Sequence, residues 1–496
     1  MLAESVASAV FSLLSMLAIG RVIGPEATGL GTIAIAAFLS VEVFGAVLFP
    51  DALVQLPGVA RRHSDSAVTA SVLVGAVLGL CLAAAAPLLA AGADAPEALW
   101  LVLALAPLVP VSAFSGTVSG LLLREQRFRL LSFRLLLGQP LALGTGLVLA
   151  SRGHGAWAMV GSQAAATAVA FLLMAWGARS SAPRFRLDFG ALRELWPVAG
   201  PQMAGVAVHI GRYRIFLLAL GLVVPQALLA VSHFAFRLLD AALAVVWQSA
   251  GRLAMPRLCA LQHDREAMAE VYGDVARLQA LLGLPICAGI ALVAPDMVAV
   301  LLGPAWAGTA EATRVVALAA MATLLHGDQS SLFVAVGKAR RNLHVAVASL
   351  LIPLAALGLL RPETPLEAAF AWSAQCLVMP PVLAWIVLRE VRRSAGWLAR
   401  RVVPAVVATA AMALVVMALQ SVLEMPPLAR LLATASAGAA VYAVVAWVAL
   451  GRRLPRVLLT AAAPAPNQPG MERAASAAPS RFPPGPGPTK QVPNTC

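Results

Sequence analysis

Long apolar runs alternate with short basic stretches along almost the whole chain. A helix needs roughly 20 apolar residues to cross the hydrocarbon core of a bilayer. Fourteen runs reach or approach that length, at 3–20, 28–49, 67–91, 98–122, 135–150, 155–177, 196–222, 226–250, 278–302, 309–336, 343–360, 366–388, 402–422 and 428–450. None alternates apolar and polar residues with the two-residue period of a barrel strand. The pattern predicts an all-α polytopic membrane protein of about fourteen transmembrane helices.

Loop charge orients these helices. With a cytoplasmic N-terminus, the cytoplasmic loops hold 25 basic residues, among them Arg61, Arg62, Arg124, Arg127, Arg129 and Arg134. The opposite loops hold four: Arg21, Arg152, Arg361 and Arg430. This asymmetry follows the positive-inside rule and predicts that both termini are cytoplasmic. It also checks the helix count, because losing one helix mid-chain would reverse the sign of every later loop.

Composition excludes several classes. Hydrophobic residues make up 60% of the 496 and charged residues 12%, whereas a soluble domain carries about 25% charged residues. The net charge of +13 does not indicate nucleic acid, since the basic residues form no continuous patch with interleaved aromatics. The five cysteines are scattered singly and suggest no disulfide framework, metal cluster or cofactor. Trp100, Trp157, Trp196 and Trp306 fall near the ends of apolar runs, as interfacial anchors do. Residues 251–277 have the polarity of an interfacial amphipathic helix. Residues 451–496, rich in Ala, Pro and Gly, cannot bury enough surface to fold and read as a disordered cytoplasmic tail.

An internal echo suggests the plan. ALGLVVPQALLAVSHFAFRL (219–238) repeats AIGRVIGPEATGLGTIAIAAF (18–38) with one gap, and both contain a Gly/Pro corner between two apolar helices. Halves repeated in the same orientation are a common transporter plan; chance likeness between apolar helices is the competing explanation. The expected organisation is two pseudo-repeated six-helix lobes (1–177 and 196–388) joined by a basic linker (178–195). Two accessory helices (389–450) and the tail follow.

GRVIGPEATGLGTIAIA (20–36) resembles the first hairpin of the polysaccharide flippase branch of the multidrug/oligosaccharidyl-lipid/polysaccharide exporter superfamily. The stretch 255–318 is similar to that branch's order of Met-Pro, charged interfacial helix, proline-bearing helix, Leu-Leu-Gly and aromatic residue, here Trp306. LLLREQRFRLLSFR (121–134) and GHGAWAMVGSQ (153–163) resemble its fourth-to-sixth helix region. The likeness runs from residue 1 to about 450, and the order and spacing of its motifs carry it. It implies a bacterial inner-membrane flippase for an undecaprenyl-pyrophosphate-linked oligosaccharide used in lipopolysaccharide or exopolysaccharide synthesis. Membrane lipids, a coupling H+ or Na+, and polysaccharide polymerase or chain-length proteins would be its partners.

Moving a sugar–phosphate headgroup through hydrocarbon requires a cationic, hydrated cleft, since an uncompensated charge at the bilayer centre costs several kcal/mol. Arginine suits phosphate because it stays charged and forks around two oxygens. The seventh run carries Gln202, His209, Arg212 and Arg214, three of them close to one helical face. The eighth carries His233, Arg237 and Asp240. Arg212 and Arg237 are the candidate phosphate contacts, with Gln202, His209 and Arg214 beside them. Asp240 would tune Arg237, and His209 or His233 could titrate during transport. Glu42 and Asp328, isolated acids at membrane depth, are candidates for ion coupling. The simpler readings are that Arg237 and Asp240 neutralise each other and that Arg212 and Arg214 snorkel to an interface. For the two acids they are a protonated, hydrogen-bonded carboxyl or, at Asp328, a helix-end position.

Other functions fit less well. A drug or metabolite exporter of the same superfamily predicts twelve helices and an acid-dominated cavity. A membrane glycosyltransferase or polymerase needs carboxylates on a sizeable extramembrane loop, yet no Asp-x-Asp occurs and the outer loops are short.

Overall fold

One glycine joins the first two apolar runs end to end. In a computed structural model, which describes residues 2–181, 184–338 and 340–451, α1 (Leu2–Ala46) takes in both runs and breaks at Gly24 (φ 80°, ψ 173°). That backbone conformation strains any residue with a Cβ. Pro25 follows, in a first helical turn where the N–H that proline lacks would have no partner. The corner faces away from the basic end of the molecule. The chain continues through α2 (Pro50–Gln55), α3 (Arg61–Gly92), α4 (Ala98–Leu105), α5 (Leu108–Arg124), α6 (Phe128–Ser151) and α7 (Trp157–Gly177). These pack together around Phe38, Leu82, Leu101, Leu105 and Val160.

The second half comprises α8 (Phe189–Gly221), α9 (Gln226–Ala260), α10 (Arg265–Leu301), α11 (Gly308–Thr323), α12 (Gln329–Ala335), α13 (Arg340–Leu360) and α14 (Pro365–Val391). The last pair is α15 (Ala395–Val422) and α16 (Pro427–Ala449). Their shared core runs from Phe216 and Phe236 through Leu284 to Trp372 and Ala405. Two aspartates set helix starts: Asp188 accepts the N–H groups of Gly190 and Ala191, and Asp264 those of Glu266 and Ala267. Such side-chain acceptors satisfy donors that a first turn leaves unpaired.

Among the described residues, eleven helices are long and apolar enough to cross a membrane, or twelve with α8, whose halves Phe189–Val208 and Ile210–Gly221 meet at 44°. The difference from fourteen lies at two places. One is α1, a single element over two predicted runs. The other is the run 309–336, which divides into α11 and α12 around Gly327 (φ 81°).

Three further expectations are revised. Residues 251–277 do not form a separate interfacial helix: they complete α9 and begin α10, with a turn between Ala260 and Arg265. Trp306 is not an interfacial anchor, being buried edge-on against Phe234 at 4.5 Å. By packing, the start of α8 sits with the first half of the chain, since Leu195 and Ala199 share a core with Leu48, Phe49 and Leu53. Polar contacts pin the same segment to α3: Arg184 N–H donates to Asp65 (2.9 Å), and Arg62 and His63 both meet Glu194 at 2.8 Å. The proposed tail beyond 451 lies outside the described residues.

Candidate functional site: a charged seam between the two halves

The two halves meet along α1, α8 and α9, and the seam changes character with depth. At the corner end it is dry and tight. A Cβ on Gly29 would lie 1.8 Å from the Gln226 carbonyl oxygen, and one on Gly20 2.6 Å from the Phe234 ring. Arg21 donates to the Val300 carbonyl (2.9 Å), and Gln226 donates to that of Ala93 (3.0 Å). These contacts tie the first half to the ends of α9 and α10 and close this end of the seam.

Further in, the seam becomes charged. Arg237 lies eleven residues along α9 from Gln226, about 16 Å at 1.5 Å per residue, near the middle of a bilayer. Around it stand Arg214 and Arg212 of α8, Asp240, Tyr213 and His233, each within electrostatic reach of its neighbours. The structure therefore brings together five of the nine candidate residues: Arg212, Arg214, His233, Arg237 and Asp240. Glu42 is the sixth. It is not isolated, for Ser112 of α5 donates a short hydrogen bond to it and Arg214 approaches it at 3.7 Å. Arg214 also donates to the Leu39 carbonyl at 2.6 Å. It is thus committed to α1, and the Glu42–Arg214 contact bridges the two halves.

Arg212 and Arg237 differ from Arg214. Among the described residues neither donates a hydrogen bond, and none of their nitrogens is a buried atom lacking a partner. Their donors are therefore at least partly accessible at the seam. Asp240 is exposed as well. The expected mutual neutralisation of Arg237 and Asp240 is partial at most, since no close ion pair forms between them and Asp240 also faces Arg212.

The remaining candidates stand apart. Gln202 is exposed on the other side of the α8 bend. His209 sits at the bend itself, and its side chain lies outside the described residues. Asp328 has the geometry of a helix end: it caps α12, accepting from the Ser330 and Ser331 N–H groups and from Ser331 Oγ at 2.5 Å.

Sequence reasoning overlooked several neighbours. Tyr213 hydrogen-bonds His233 Nδ1 (3.1 Å) and packs on Trp372 (5.3 Å), giving the charged groups a rigid aromatic floor with Phe216 and Phe236. Cys376 of α14 lies beside Arg212 and Asp240. Only Tyr213 carried a sequence signal, lying between two candidate arginines.

A long helical membrane protein with a charged mid-depth seam between two bundles has the architecture of a transporter. The fold agrees with solved structures. A structure of the lipid II flippase MurJ in an inward closed conformation aligns with TM-score 0.72 and 12% identity, covering 90% of this chain and 97% of that one. An inward-facing multidrug resistance MATE family transporter of the MOP superfamily aligns with TM-score 0.63 and 16% identity, covering 78% and 96%. An outward-facing structure with the same description gives TM-score 0.50 at 17% identity, covering 79% and 95%. No curated protein matches the sequence. Residues 18–311 match the family model for polysaccharide biosynthesis proteins, and the chain belongs to that family. Its fold is the one these MurJ and MATE structures share.

Proposed function

We propose that the chain flips an undecaprenyl-pyrophosphate-linked oligosaccharide across the bacterial inner membrane, for lipopolysaccharide or exopolysaccharide synthesis. The basic end, with both termini, faces the cytoplasm. The observation that carries this reading is the pair Arg212 and Arg237, which among the described residues donate no hydrogen bond and keep partly accessible donors at the seam. Two unpaired guanidinium groups are costly in hydrocarbon unless an anion uses them, and a diphosphate meets them with forked, charge-assisted hydrogen bonds. Family membership supports a polysaccharide precursor, and likeness to a lipid II flippase supports a lipid-linked one. Two six-helix lobes would alternate access around the seam, with the Glu42–Arg214 bridge coupling an H+ or Na+ to that movement. Gln202, His209 and Asp328 are peripheral to this arrangement.

The test is complementation of a bacterial strain lacking its own polysaccharide flippase. Wild type, Arg212→Ala and Arg237→Ala are compared at matched membrane abundance. Surface glycan should return with wild type and fall at least about tenfold with either variant, as loss of one charged hydrogen bond predicts. Rescue that survives both substitutions would remove the arginines from the mechanism. Absence of rescue across strains of differing glycan structure, together with measurable drug efflux, would transfer the protein to the exporter branch.

A further inference from the structure

A second arginine site lies away from the seam, at the basic end of the first half. The end of α1, α2, the end of α5 and the start of α6 enclose a pocket of about 370 Å³. Apolar Leu123, Phe128 and Leu131 line it together with Ser119, Ser132 and Arg134. Helix α6 packs mainly on α7 and α1 and little on α5, and Leu123 and Phe128, which line the pocket, are exposed. An amphiphile docking here would meet apolar side chains and a cation together.

Arg134 sits six residues into α6, about 9 Å from its start. Among the described residues it makes no hydrogen bond or close ion pair, and none of its nitrogens is buried without a partner. The one acid acting on it is Glu42, which Ser112 and Arg214 already engage. A line of charge follows: Arg134, Glu42, Arg214, Arg237, Asp240, Arg212, each within electrostatic reach of the next. A diphosphate bridging two alcohols carries one negative charge on each phosphorus, which guanidinium groups meet with forked hydrogen bonds. Asp51 also lines the pocket and offsets part of its positive charge.

We propose that this pocket is where the diphosphate of the lipid-linked substrate first docks from the cytoplasmic leaflet, held by Arg134 before it passes along the Glu42–Arg214 bridge to Arg237 and Arg212. This deepens the flippase reading and rests on it for the direction of travel. The pocket itself is tested separately.

The experiment uses the full chain in phosphatidylglycerol-containing nanodiscs, with a benzophenone-bearing polyprenyl diphosphate as probe and cross-links mapped by peptide mass spectrometry. Cross-links should fall on the peptides holding Leu123, Phe128 and Leu131. Arg134→Ala should lower them about tenfold, as loss of a charge-assisted hydrogen bond predicts. Arg134→Lys, which keeps the charge but loses the fork, should give an intermediate value and serves where the alanine variant does not accumulate. Arg237→Ala should keep the cross-links while abolishing glycan rescue. Labelling indifferent to Arg134→Ala and Arg134→Lys would overturn the proposal. So would displacement by millimolar inorganic pyrophosphate, which marks a soluble-anion site, or by added phosphatidylglycerol, which marks an ordinary lipid site. Pocket labelling with no wild-type rescue would retain the docking site while ending the transport reading.

Discussion

The seam between the two halves is built in two ways along its depth. At the corner end, α1 and α9 touch through glycine, so that backbone lies against backbone at Gly29 and Gln226. About three turns deeper α1 meets α8 through Glu42 and Arg214, and α9 sets Arg237 and Asp240 beside Arg212 of α8. The first arrangement gains from close packing; the second gathers charge. One end of the seam is therefore built to shut and the middle to hold something anionic. Small residues supply the closure because helices in lipid lack a hydrophobic drive to associate and rely on van der Waals contact.

The comparison can be broken at its dry end first. Gly29→Leu has no space for its side chain, and overpacking of this kind costs about 1–3 kcal/mol even where neighbours can shift. Backbone cannot. Membrane abundance and detergent melting temperature should both drop sharply, and normal values of either would mean that the corner contact is dispensable. Arg212→Ala and Arg237→Ala come next: abundance holds while glycan export falls at least about tenfold. Glu42→Gln keeps an acceptor for Ser112 but removes the charge opposite Arg214. With side chains 18% and 24% exposed, that contact is worth about 1 kcal/mol, so export should fall only severalfold. A Glu42/Arg214 double-mutant cycle showing no coupling would argue against a bridge between the halves. The smallest effect belongs to Asp328→Ala, which removes a helix cap worth about 1 kcal/mol. Stability should dip and export per folded molecule stay level; an export defect at unchanged stability would return Asp328 to the coupling machinery.

Glu42 and Asp328 also show what a sequence makes legible. Both read as single acids within apolar runs. Asp328 caps the residues directly after it, an interaction its own neighbours, Ser330 and Ser331, could have suggested. Glu42 owes its role to Arg214, and that helix contacts α1 across 175 residues of chain, a distance no local pattern spans. The helices themselves were legible because lipid imposes length and apolarity on each independently. What escaped was how runs join or divide, at Gly24 and Gly327, where single backbone conformations decide. Arg134 escaped for a related reason: charge placed it in a loop, whereas α6 begins before it and carries it into a pocket.

Arg430 of α16 holds Asp296 of α10 with two nitrogens at 2.5–3.1 Å, and Asp296 is buried. The two residues are 134 positions apart. At roughly 5–20 residues per second on the ribosome, α10 enters the membrane on the order of ten seconds before its partner has been made. The contact thus forms only after the final hairpin has been made, and a chain cut short before α16 would leave Asp296 without this partner.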